Sequence, residues 1–195
     1  MQIGLFFGSF NPVHTGHLIL ANYMAQYTDL AQIWLVVSPH NPLKAKASLA
    51  RDRDRLNMVQ LAVEGNPSLR ASSIEMKLPQ PSYTVDTLAY LSEQYPQHTF
   101  SLIIGGDNLI SLPKWKNYAF LLENYAIYVY KRPDAPLENI DKTLLEHPNI
   151  HFLEDVPQMQ ISATFIREAL KNGKSIRYLV PEKVADYIVE GRLYK

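Results

Sequence analysis

The chain has 195 residues, 47% of them hydrophobic and 19% charged, with eight glycines and thirteen prolines; this is a globular composition of about one domain's length, and it excludes disordered, collagen-like and coiled-coil chains. Nineteen basic residues balance nineteen acidic ones, so no global positive field exists to hold a nucleic-acid polymer, although small anions can still be recognised locally. With no cysteine there is no disulfide framework, no thiolate metal site and no cysteine nucleophile.

Ile3–Phe7 is a short apolar run that stops at Gly8, too short for a helix, and it reads as a buried strand. It lacks the basic flank and cleavage site of a signal peptide, and no stretch reaches the ~18 apolar residues of a membrane helix. A cytoplasmic protein without a membrane partner is expected. The strand grammar recurs at 33–37, more weakly at 69–72, and then at 100–104, 126–130 and 150–153. Helical spacing fills roughly 15–27, 51–64, 84–94, 137–146, 163–172 and 181–190. In the second of these, Leu56, Val59, Gln60 and Val63 fall on one side, and the run Arg51-Asp52-Arg53-Asp54-Arg55 reads as a solvated helix start with self-pairing charges. Strands apolar on both faces that alternate with helices predict an α/β fold, a parallel sheet covered by helices. In such folds ligands bind beyond the carboxyl ends of the strands, near the switch in strand order.

The segment after the first strand is Gly8-Ser9-Phe10-Asn11-Pro12-Val13-His14-Thr15-Gly16-His17, followed by the apolar Leu18-Ile19-Leu20-Ala21. The order is strand, tight turn and helix N-terminus, whose free N–H groups and partial positive charge attract phosphate. Gly8 is expected to turn the chain sharply, and Gly16 to leave the first helical turn open to a bulky anion. His14 and His17, three apart, share one face of that turn. Two alternatives stand beside this reading. Either histidine could simply cap or pack the helix, and the pair could hold zinc, although no third ligand is evident.

On these residues the chain resembles the His-x-Gly-His nucleotidyltransferases, and within them the bacterial nicotinate-mononucleotide adenylyltransferases. The likeness covers essentially the whole chain. It includes Ser38-Pro39-His40-Asn41-Pro42-Leu43-Lys44, Ser82-Tyr83-Thr84-Val85-Asp86-Thr87-Leu88, Ile104-Gly105-Gly106-Asp107 running into Leu112-Pro113-Lys114-Trp115, Ile161-Ser162-Ala163-Thr164-Phe165-Ile166-Arg167 and Tyr178-Leu179-Val180-Pro181. Two positions depart from the family pattern: Asn11 stands where Asp is usual, and Ala163 where a second Ser is usual. The resemblance implies one Rossmann-like doubly wound domain of five to six strands over 1–195, with residues from about 160 to 195 forming a helical, phosphate-binding extension.

The implied reaction is attack of the nicotinate mononucleotide 5′-phosphate on the α-phosphorus of ATP, giving the dinucleotide and pyrophosphate. No general base is needed, because that phosphate's second pKa is about 6. His14, His17 and Arg167 take the catalytic roles; Gly8, Ser9, Phe10, Gly16, Gly105, Asp107, Ser162 and Thr164 bind ATP, with Mg²⁺ carried on its phosphates. Ser162 is also a candidate N-cap, and Asp107 a candidate cap for a helix at 108–112. Lys44 and Arg132 are expected on phosphate, Tyr83 and Thr84 at the nicotinate carboxylate, and Trp115 stacked on the pyridine ring. Each also has an ordinary reading: a solvated loop lysine for Lys44, a core residue for Trp115. Competing functions are transfer to nicotinamide mononucleotide or phosphopantetheine, and ATP binding without turnover. The sequence leaves homo-oligomer formation open.

Overall fold

The computed structural model describes residues 1–39, 49–131, 140–157 and 159–194. Six strands, β1 (Gln2–Gly8), β2 (Gln32–Val37), β3 (Leu69–Ser72), β4 (Thr99–Gly105), β5 (Ile127–Tyr130) and β6 (Ile150–Leu153), form one sheet in the order β3-β2-β1-β4-β5-β6. Every pairing is parallel. All six predicted strands are present, the weak third among them.

The helices are α1 (Thr15–Tyr27), α2 (Asp52–Val63), α3 (Thr84–Gln94), α4 (Gly106–Ser111), α5 (Tyr118–Asn124), α6 (Lys142–Leu145), α7 (Ala163–Lys171) and α8 (Glu182–Glu190). Alternate strand residues point to opposite faces, and two separate cores result. On one face Phe6, Ile33, Leu35, Val37 and Ile103 pack with Met24 of α1, Met58 of α2, Ile166 of α7 and Val184 and Ile188 of α8. On the other, Ile3, Leu5, Val36, Leu102, Ile104 and Val129 pack with Leu88 and Leu91 of α3, Leu109 of α4, Leu121 of α5 and Leu144 of α6. Each of these side chains is buried and contributes about 2 kcal/mol relative to exposure. The sheet is doubly wound, as expected.

Three expectations need correction. The helix predicted at 137–146 is confined, among the described residues, to Lys142–Leu145, where the Asp141 carboxylate accepts from the Thr143 N–H at 2.9 Å. The buried face of α2 consists of Arg55, Met58 and Val59, whereas Gln60 is exposed. Arg55 is therefore not part of a solvated charge run: it is fully buried.

Because chain order and sheet order diverge between β1 and β4, the carboxyl ends of these neighbours open a crevice. The register that sets Phe6 opposite Ile103 brings Gly8 and Gly105 to that opening side by side.

Candidate active site

The loop from Ser9 to His14 lies over the end of β1. Its shape comes from Phe10, which adopts a left-handed φ of 43° with its ring 1% exposed. Gly8, by contrast, is not the turning residue, since its φ is not positive. A Cβ on Gly8 would come within 2.8 Å of the Phe10 ring, so Gly8 is small in order to seat that ring. Phe10 in turn meets the His17 ring edge-on, centroids 5.1 Å apart. The Phe10 side chain is thus committed beneath the loop.

His14 is the N-cap of α1, and the His14 N–H donates to His17 Nδ1 at 3.2 Å. An Nδ1 that accepts carries no proton, so the neutral ring of His17 bears its hydrogen on Nε2 as a donor. The two imidazoles stack with centroids 3.6 Å apart and planes at 27°. A Cβ on Gly16 would lie 3.2 Å from the His14 ring, so Gly16 makes room for this imidazole as well as for the anion expected from the sequence. The first turn of α1 contains no acidic residue, so no carboxylate of that turn offsets the positive end of the helix.

The start of α7 faces the same loop. Ser162 caps it, its Oγ accepting from the Phe165 N–H at 3.1 Å, a contact of about 1 kcal/mol. Arg167 donates through one guanidinium nitrogen to the Asn11 carbonyl at 2.8 Å and through the other to Thr164 Oγ1 at 3.2 Å. The first turn of α7 is also free of acidic residues. A second strut joins α1 to the 178–179 backbone, where Thr15 N–H and Oγ1 donate to the Leu179 carbonyl at 2.9 and 3.0 Å.

Beneath the loop, the buried Arg55 guanidinium donates to the carbonyls of Ser9, Ser38, Ala50 and Pro39 and to the Asp52 carboxylate. It ties the exit of β1 to the exit of β2. Sequence reasoning missed this residue, yet a signal was available: of the three arginines in the run, only Arg55 lies three and four positions before the buried Met58 and Val59.

Across the crevice, Gly105 ends β4 and caps α4, and Asp107 lies exposed in the first turn of that helix; the helix starts at 106, so Asp107 is inside it and not its cap. Leu112–Lys114 forms a 3-10 turn ending at the half-buried Trp115. Lys116 Nζ lies 4.8 Å from the centre of the Tyr83 ring and 2.8 Å from the Asp86 carboxylate, which links the residue after Trp115 to the start of α3, where Tyr83 is exposed and Thr84 half-buried. Below them, the buried Glu75 carboxyl accepts from Thr87 Oγ1 at 3.0 Å. Burial raises its pKa above the ordinary value, against the opposing effect of the Ser38, Thr87 and Ser82 hydroxyls. Lys44 and Arg132 lie outside the described residues.

No helix among the described residues is long and apolar enough to cross a membrane. Nor do these residues contain a group of three or more His, Asp or Glu side chains able to hold a metal.

Comparison with known proteins bears on the whole of this arrangement. A cytidylyltransferase-like family model matches residues 5–169. The chain is 55% identical to a Flavobacterium johnsoniae protein over all 195 residues of both, and 52% identical to a Cytophaga hutchinsonii protein over 100% of this chain and 98% of the other; both carry the name "Probable nicotinate-nucleotide adenylyltransferase". A solved Plasmodium falciparum nicotinic acid mononucleotide adenylyltransferase, complexed with NaAD, superposes with a TM-score of 0.79 over 99% of this chain and 97% of that one. At 20% identity that likeness shows the fold. The full-length curated relatives go further, and the chain belongs to the nicotinate-nucleotide adenylyltransferase family of nucleotidyltransferases.

Proposed function

We propose that the chain transfers the adenylyl group of ATP to nicotinate mononucleotide, yielding nicotinate adenine dinucleotide and pyrophosphate in NAD biosynthesis, with the labour divided between the two sides of the crevice. The observation that carries this reading is the stacked His14–His17 pair at the start of α1, opposite an α7 N-terminus whose Arg167 is bonded to the same loop.

An oxygen of the acceptor's 5′-phosphate forms a bond to the α-phosphorus, and the bond from that phosphorus to the bridging oxygen of the β-phosphate breaks. The nucleophile is already ionised near neutral pH, so the protein must align two anions and offset the charge that accumulates on the α-phosphate and the leaving pyrophosphate. His17, through Nε2–H, and His14 serve the α- and β-phosphates, and Arg167, Ser162 and Thr164 serve the end of the triphosphate. The amides of Ser9 and Phe10 are assigned to the same phosphates. In this assignment the segment from about 160 onward is the phosphate-binding part of the fold.

ATP would carry Mg²⁺, which offsets phosphate charge; phosphate oxygens and water suffice as its ligands, in keeping with a loop that offers Asn11 and not a carboxylate. Gly105 and Asp107 are assigned to the nucleoside, Trp115 to the pyridine face, and Tyr83 and Thr84 to the carboxylate of the acceptor. Lys44 and Arg132 are assigned to phosphate. We place the reaction in the cytoplasm.

Pyrophosphate release with ATP and Mg²⁺, measured separately with nicotinate mononucleotide, nicotinamide mononucleotide and phosphopantetheine, tests the reading. A strong preference for the acid mononucleotide is expected. Silence with all three would leave a protein that binds ATP without using it.

A further inference from the structure

The turn after α8 reaches back to the first loop. Leu193 N–H closes on the Ile188 carbonyl at 3.0 Å, and both Arg192 (φ 49°) and Tyr194 (φ 65°) are left-handed. Two non-glycine residues in that region cost about 1 kcal/mol or more each and persist only where other contacts fix them. Here the fixing contact is the Tyr194 hydroxyl, which donates to Asn11 Oδ1 at 2.8 Å. The same oxygen accepts the Ala50 N–H at 3.0 Å, so the Asn11 amide, 3% exposed, is gripped from two sides. The Asn11 backbone carbonyl is the atom on which Arg167 docks.

From this chain of contacts we propose that Tyr194 is a positioning residue for the phosphate site: by holding the Asn11 side chain it fixes the Asn11 carbonyl, and with it the guanidinium of Arg167. Tyr194 does not touch substrate in this scheme. It sets where Arg167 stands, and so acts on ATP and not on the acceptor. Arg167 and Arg55 both lie close enough to act electrostatically on the phenol, as does Asp54, while burial is the largest influence and keeps it protonated. A protonated phenol is what the bond to Asn11 requires. The inference rests on the assignment of Arg167 to the triphosphate.

The test is steady-state pyrophosphate release by the full chain as Tyr194→Phe, Arg167→Lys and the double variant, with melting temperatures alongside. Tyr194→Phe should lower kcat/KM for ATP about 3- to 10-fold, the worth of one hydrogen bond, with KM for nicotinate mononucleotide unchanged. Within the Arg167→Lys background the same change should cost less than about 2-fold, because the two residues act in series. Asn11→Ser removes the acceptor while leaving the tyrosine in place, and it should show the same ATP-selective loss should Tyr194→Phe fail to fold. Wild-type ATP kinetics in Tyr194→Phe, equal losses in both backgrounds, or a lower melting temperature with unchanged kinetics overturns the positioning role. Wild-type ATP kinetics in Arg167→Lys would overturn the assignment of Arg167 itself and the proposal with it.

Discussion

The two sides of the crevice are built differently. On the β1 side, the stretch Ser9–Thr15 is held by groups far away in the chain: Arg55 on the Ser9 carbonyl, Ala50 and Tyr194 on the Asn11 amide, Arg167 on the Asn11 carbonyl, and Thr15 itself bonded to the Leu179 carbonyl. On the β4 side, the stretch Gly105–Trp115 carries short-range hydrogen bonds, Ser111 Oγ to the Asn108 carbonyl and the Trp115 N–H to the Leu112 carbonyl, and is anchored by Leu109 and Leu112, fully buried in the second core. Its link to α3 is an exposed pair, Lys116 with Asp86. Donors aimed at developing charge are effective when they need not reorganise, and the donors proposed for the phosphates lie on the β1 side. The pocket proposed for a flat ring and a carboxylate depends more on apolar packing, which is what Leu109 and Leu112 supply on the β4 side.

Substitutions on the two sides should therefore differ in kind. His17→Ala is expected to lower kcat by about 100- to 1000-fold, the scale for removing one transition-state donor, with the melting temperature nearly unchanged; a matched loss of stability and activity would make His17 a packing residue. Arg55→Ala should cost about 3 kcal/mol or more of stability, because it strands several buried carbonyls at once, and calorimetry should place its melting temperature about 6–12 °C lower. Trp115→Ala should raise KM for the mononucleotide about 3- to 10-fold at nearly constant kcat. Unchanged acceptor kinetics would remove the stacking role and with it the division between the sides.

The smallest effect concerns Glu75. Its folded pKa is raised above the ordinary 4.5 by burial, so the unfolded chain releases this proton first. The group's favourable contribution is complete below about 4.5 and is lost as pH climbs through the folded value. Glu75→Gln keeps an acceptor for Thr87 and removes the titration. Its melting temperature should rise relative to the parent chain as pH is raised above about 4.5, and a pH-independent difference would show that the carboxyl titrates normally.

The strands were legible because a parallel sheet buries both faces, and runs such as Ile33–Val37 are then apolar without interruption. The short helix α5 escaped because seven residues are fewer than two turns and display no period, and α4 was legible only as a helix over 108–112 behind Asp107, two residues late at its start. The His14–His17 pair was legible as geometry, since its spacing fixes a common face and the two rings stack. Its supports were not. Arg55 looks like any charge in an alternating run, and the grip of Tyr194 on Asn11 joins positions that no local pattern connects. The role given to Gly8 was misplaced for a related reason: sequence favours glycine for a turn, whereas the left-handed residue is Phe10, kept there by tertiary packing around its ring.

The reach of those supports also sets an order in time. Asn11 and Tyr194 are 183 residues apart, and chains are synthesised from the N-terminus at about 5–20 residues per second. For roughly ten to forty seconds after Asn11 is added to the chain, the tyrosine that grips it has yet to be made, although Ala50 and Arg55 follow within about ten seconds. The nascent chain can assemble its first strands and helices in that interval, but the bond between Tyr194 and Asn11 cannot close until the turn after α8 is made.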